Sequence, residues 1–317
     1  MNMMGADSGK KDVANCGSPV KWPTEIRDAS TIEADSRIWK EFEFREGDII
    51  VASYPKTGTT VAQQILSQII FNGSEDVPLW EIAPWFEFRL APKAETMAML
   101  KAQTHRRSIK SHLPAYSVPI SPIAKYIYVG RDGRDVAWSF HHHLSNVFDA
   151  FNDAQWRLYD PEAKIMSGYP KIPESPYQFY TEWMRDDGFP HGSFFENVQS
   201  WWEIRCLPNV LMVHYNNIIG DLPGEIARIA KFLDYDISTL EMDKIIHHCG
   251  FQYMKEHSKQ YAPPAFKDGQ TVFFNKATNM RWKDILSAAE VAQYEKIAEE
   301  RLGSECAYWL ATGKEKC

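Results

Sequence analysis

The chain is poor in ordered cysteine. It has five in 317 residues, Cys16, Cys206, Cys249, Cys306 and Cys317, and no two form a CxxC pair. Scattered and odd in number, they suggest neither a disulfide framework nor a zinc ribbon, and a reducing, cytoplasmic compartment is the simplest reading. No apolar run reaches the roughly 18 residues of a membrane-spanning helix, and the opening MNMMGADSGKKDVANCGS lacks the apolar stretch of a secretory signal. Basic residues are in deficit: 35 Lys and Arg against 42 Asp and Glu give a net charge of −7, which argues against a bulk nucleic-acid binder but allows a local basic pocket. No Asp/Glu/His cluster has the spacing of a metal site, so no metal is expected. What is present is ordinary globular composition, 44% hydrophobic and 24% charged, enough for a sizeable core.

Residues 1–18 are polar and small and are predicted to form a flexible tail, with a single domain over 19–317. Short β-rich runs at Ile49–Ala52, around Ile109, at Tyr126–Gly130 and at Val210–Tyr215 alternate with helical patterns at Arg134–Leu144, Phe194–Cys206, Glu225–Leu233, Thr239–His248 and Ala288–Arg301. Strands interleaved with helices predict an α/β fold around a central parallel sheet. The region 146–190, and above all Asn152–Pro190, is rich in Pro, Gly, Asp and aromatics; it reads as an irregular insert or lid.

The densest chemistry follows the first strand. In YPKTGTT, Tyr54–Thr60, the strand ends at a proline and a helix is predicted from about Thr59, with Val61, Ile65, Leu66, Ile69 and Ile70 on one apolar face. A helix N-terminus favours anions. Gly58 lets the backbone wrap closely around phosphate oxygens, Lys56 adds a cation, and Thr57, Thr59 and Thr60 add hydroxyl donors. The pattern is P-loop-like but is not GxxxxGK[ST], since Lys56 precedes Gly58. An ordinary strand-to-helix turn is the plainer reading of the loop alone.

This loop resembles the 5′-phosphosulfate-binding loop of cytosolic-type sulfotransferases, which use 3′-phosphoadenosine-5′-phosphosulfate (PAPS) and release PAP. Three more stretches resemble the same family in the expected order: KSHLP (Lys110–Pro114), YVGRDGRDVAWSF (Tyr128–Phe140) and FNKATNMRW (Phe274–Trp282). The resemblance implies transfer of a sulfonate group to a small hydroxyl acceptor, a phenol or an alcohol, without nucleic acid, membrane or metal. His112 would be the general base, since imidazole titrates near neutrality. Lys110, two residues earlier on a strand, shares its face and would neutralise sulfonate or bridging oxygen, while Lys56 would hold the leaving phosphate. Arg131 and Ser139 would bind the 3′-phosphate. Tyr215, Cys249 and Phe251 match the nucleoside side, and Asn275, Lys276 and Ala277 the C-terminal nucleotide loop.

The sequence departs from the family in places. Val61 stands where a Trp usually stacks on adenine, and Asn275-Lys276-Ala277 replaces Arg-Lys-Gly. The usual dimerisation motif is not matched in KDILSAAEVAQ, so dimerisation by that route is not implied. The segment Asn152–Pro176 is longer than in soluble animal members and is expected to shape an acceptor lid. Trp85, Phe86 and Phe88 are candidates for the apolar acceptor wall, with core packing as the alternative, and His143 for a polar wall. The adjacent His141, His142 and His143 point about 100° apart on a helix and cannot share one ion comfortably. Two other readings stay open: a PAP- or PAPS-binding protein without turnover, and a P-loop-type nucleotide kinase.

Overall fold

The computed structural model describes residues 21–75, 77–159 and 170–316; the expected tail over 1–18 lies outside them. Four strands, β1 (Ile49–Ser53), β2 (Ser108–Ser111), β3 (Lys125–Gly130) and β4 (Val210–His214), form one parallel sheet in the order β2-β1-β3-β4. Every residue of β1 is buried because helices cover both faces. Its side chains alternate. Ile49 and Val51 join a cluster with Ile65, Leu66 and Ile69, while Ile50 and Ala52 join one with Val136 and Trp201 on the other side.

Helices α1 (Thr59–Ile70), α2 (Leu79–Ile82) and α3 (Lys93–Ala102) lie between β1 and β2. Between β3 and β4 come α4 (Gly133–Asn146), α5 (Asp149–Tyr159), α6 (Pro176–Arg185) and α7 (Phe194–Glu203). After β4 follow α8 (Tyr215–Gly220), α9 (Leu222–Phe232), α10 (Thr239–Cys249), α11 (Phe251–Glu256) and α12 (Ala288–Thr312). This is the expected α/β arrangement.

Two expectations are corrected. The segment Asn152–Pro190 is not irregular throughout, since it contains most of α5 and all of α6. The α6 start carries an ordinary signal, with Ser175 accepting from the Gln178 N–H and Pro176 in the first turn; Phe179, Tyr180 and Trp183 then bury one face. The neighbouring prolines and glycines hid that signal. Cysteine usage is also less uniform than expected: Cys249 and Cys306 are buried free thiols, but Cys206 is disulfide-bonded.

The strand order places the site. From β1 the chain goes to β2 on one side and then crosses to β3 on the other, so a crevice opens beside the carboxyl end of β1. The ends of β1, β2 and β3 carry Ser53, Ser111 and Gly130 there, each one step before a loop that bears chemistry.

Candidate active site

The loop after β1 needs two left-handed residues, Lys56 (φ 72°) and Gly58 (φ 110°). A Cβ on Gly58 would sit 2.6 Å from the Tyr215 ring, so the close approach of loop and ring requires glycine here. Gly58 gives the start of α1 no side-chain cap, which leaves the N–H groups of the first turn facing the crevice without a capping oxygen. Lys56, Gly58, Thr59 and Thr60 line a cavity of about 630 Å³. Thr57 does not: it is fully buried and its hydroxyl donates to the Tyr54 carbonyl at 2.8 Å, bracing the turn.

Lys110 and His112 line the same cavity. The His112 ring Nδ1 lies 2.8 Å from the Ser53 carbonyl oxygen, an acceptor only, so Nδ1 carries the proton and donates. Nε2 is then the basic nitrogen. The Ser53 hydroxyl lies 3.2 Å from Nδ1 and 2.5 Å from the Thr59 hydroxyl, so one residue ties the imidazole to the anion loop. The His112 N–H donates to Glu87 at 2.7 Å, and the Trp85 ring meets the imidazole edge-on at 4.7 Å. The Lys110 ammonium sits 4.3 Å from the Trp85 ring centre.

Burial depresses every base here, and neighbouring cations add to it at Lys56 and His112. Lys56 is pushed down to about 7 by burial, then by Lys110 and Arg131, with Glu33 opposing. Lys110 is pushed down to about 8 by burial, against the pull of Glu33 and Glu87. Burial and then Lys110 hold His112 well below the usual imidazole range, so it is neutral at physiological pH. Burial makes protonation of both lysines costly, and an anion bound beside them would offset that cost.

Across the crevice, Arg131 and Ser139 line the cavity from the end of β3 and from α4. The Arg131 guanidinium donates to the Asn279 side-chain oxygen at 2.7 and 3.0 Å and to the Lys56 carbonyl at 3.1 Å, and it stacks 4.4 Å from the Tyr215 ring centre. Tyr215, Cys249 and Phe251 line the same cavity, as do Asn275, Lys276 and Ala277. Ala277 takes a positive φ of 49°, a conformation more natural to glycine.

Of the residues expected to face an acceptor, Trp85 and Phe88 stack at 4.6 Å and both line the cavity. Phe86 does not. It is 1% exposed and packs edge-on against Trp39 and Phe42, so the core reading applies to it. His143 lines the cavity with its Nδ1 3.2 Å from the Lys56 ammonium. His141 is not among the lining residues and meets the Pro173 carbonyl, while His142 reaches the cavity edge with its Nε2 2.9 Å from the Val272 carbonyl. Among the lining residues that the sequence reading did not assign to the site are two charged ones, Glu33 and Arg281. Glu33 stands in a stretch with no motif. Arg281 lies inside FNKATNMRW but outside its three expected ligand positions.

A parallel sheet whose strand ends bring a lysine-bearing anion loop, a second lysine and a neutral imidazole to one cavity defines a group-transfer enzyme acting on an anionic donor. The sulfotransferase domain pattern matches residues 46–305, and the chain belongs to the sulfotransferase family. It is 27% identical to the glycolipid sulfotransferase of Mycobacterium tuberculosis, over 90% of this chain and 94% of that one. It is 28% identical to the 3-alpha-hydroxysteroid sulfotransferase of Cavia porcellus, over 83% and 86% of the two chains. A mouse sulfotransferase complexed with PAP superposes with a TM-score of 0.67 at 23% identity, covering 87% of this chain and 92% of that one, which establishes the shared fold.

Proposed function

We propose that this sulfotransferase takes PAPS as donor and moves its sulfonate to the hydroxyl of a small phenol or alcohol, with His112 as general base. The observation that carries the reading is the His112 imidazole, with Nδ1–H given to the Ser53 carbonyl and the lone pair of Nε2 left over in a cavity shared with Lys56 and Lys110. Nε2 takes the acceptor proton as the hydroxyl oxygen attacks sulfur. The S–O bond to the 5′-phosphate breaks in line, and Lys56 and the N–H groups of α1 stabilise the charge that gathers on the leaving phosphate. Lys110 faces the sulfonate oxygens. Ammonium groups and amides supply the positive field, so the reading assigns no metal a role.

Arg131 and Ser139 would hold the 3′-phosphate, with Tyr215, Cys249 and Phe251 along the nucleoside. Trp85, Phe88 and His143 would face the acceptor, giving it an aromatic wall and a polar one. The proposal includes a cytoplasmic setting, in which the thiols of Cys249 and Cys306 would stay free and the Cys206 disulfide would open; a Cys206 disulfide that survives thiol trapping in cell extracts would count against it.

The test has two parts. PAP should raise the melting temperature of the parent protein, and a hydroxyl-compound screen with PAPS should give products heavier by one sulfonate group. His112→Ala should lower turnover about 10²–10⁴-fold while leaving PAP affinity within about two-fold. Parent-like turnover would remove His112 as base. PAP binding without transfer to any acceptor would favour the binding-protein reading instead.

A further inference from the structure

The loop from Asn275 to Arg281 brings a second guanidinium to the cavity wall that holds Arg131. Its course is pinned at several points. The Met280 N–H donates to the Asp135 carboxylate at 2.7 Å, Trp282 lies 3.8 Å beneath the Arg134 guanidinium, and Asn279 accepts from Arg131 while its amide N–H donates to Asn216. Asp135 in turn opens α4, the helix that carries Ser139. Arg281 therefore projects from a fixed support.

The two arginines are close enough to feel each other. The charge of Arg281 helps to depress Arg131, after burial, and it acts on His142 as well. Among the described residues Arg281 makes no ion pair with a carboxylate. Its partner is a neutral amide: with the Asn275 oxygen turned toward it, that oxygen accepts from the guanidinium at 3.0 and 3.3 Å. Arg131 is served in the same way by the Asn279 oxygen. Two neutral oxygens thus occupy two guanidinium forks without cancelling either charge. Amides satisfy donors but leave the field of both cations for an incoming anion with several acceptor oxygens, and the fork geometry of arginine suits phosphate.

We propose that Arg281 is the second cation of the 3′-phosphate clamp, acting together with Arg131, and that Asn275 is its latch and not itself a phosphate ligand. The inference rests on the PAPS-donor reading and deepens it. It also explains how a loop reading Asn-Lys-Ala keeps a full positive field: the cation missing at position 275 enters at 281, from the other end of the loop.

The test compares PAP with adenosine 5′-monophosphate, which differs only by lacking the 3′-phosphate, by titration calorimetry on the parent, Arg281→Ala, Arg281→Lys and Asn275→Asp. The parent should prefer PAP. Arg281→Ala should lose about 10- to 100-fold in PAP affinity with the monophosphate changed less than two-fold, and Arg281→Lys should recover part of the loss. Asn275→Asp, which gives Arg281 a permanent carboxylate partner and sets a like charge against the phosphate, should weaken PAP selectively. A parent that does not distinguish the two nucleotides would overturn the donor reading itself. A parent that does, with the preference intact in Arg281→Ala, would overturn the clamp alone. Should Arg281→Ala lose both ligands through misfolding, Asn275→Asp decides: unchanged PAP preference in that variant rejects the proposal.

Discussion

Lys56 spends the ligand-free state where an ammonium is poorly tolerated, in the cavity wall with Lys110 and Arg131 acting on it. Its folded value of about 7, and about 8 for Lys110, lie below the ordinary lysine value of about 10.4. Between roughly pH 7 and 10 the folded chain therefore binds fewer protons than the unfolded one at these two sites. Stability from them is lowest below pH 7 and rises with pH through that window. Lys56→Met should accordingly raise the melting temperature of the free protein at pH 7 by a few degrees, with a shallower rise from pH 7 to 9 than the parent, while PAP affinity falls at least about 100-fold. Calorimetric melts across that range check it; a variant less stable than the parent at pH 7 would show that the lysine is not strained. Removing a binding group would then stabilise the fold, the expected sign for a residue kept for function.

At the scale of elements, the join of β1 to α1 does most of the positioning. Its glycine is packed on Tyr215, and Tyr215 lies under Arg131, so a change at the loop reaches the far phosphate site through one ring. Gly58→Ala should destabilise the fold by about 1–3 kcal/mol, from the positive φ and the ring contact, and should weaken PAP and adenosine 5′-phosphosulfate alike. Selective loss of one nucleotide would mean that the ring does not couple the two ends. This unit was legible in the sequence because a fully buried strand, a tight Gly-bearing turn and an apolar helical face each leave a pattern. By contrast α5 and α6 are hidden in the sequence, since Pro, Gly and aromatics crowd the stretch around them and mask the Ser175-Pro176 start. Phe86 and Phe88 illustrate a subtler limit. Both belong to APWFEF, which runs along the free edge of β2 with the Phe86 N–H bonded to the Lys110 carbonyl, and only that pairing decides which ring enters the core. The same holds for Thr57, whose hydroxyl was claimed by its own turn.

Across the whole molecule, charge is sorted by place. The chain is acidic at −7, yet the cavity wall carries Lys56, Lys110, Arg131, Lys276 and Arg281 against one carboxylate, Glu33. A basic recess in an acidic body attracts a small polyanion through a short-range local field and offers no extended basic face to a long one. That contrast was partly readable from the motifs, but Glu33 and Arg281 were not, because they reach the cavity from segments that meet only in the folded chain. One contact at this scale sets an order of events. In the free protein Lys56 rests against His143, the residue proposed to face the acceptor. On the proposed reading, a bound 5′-phosphate would draw the ammonium to itself and release the imidazole, so the second compartment would take its working shape after the first is filled. Initial-rate and product-inhibition kinetics should then show compulsory sequence, nucleotide first, and the acceptor alone should give no measurable heat of binding; random entry would mean that the two compartments are independent.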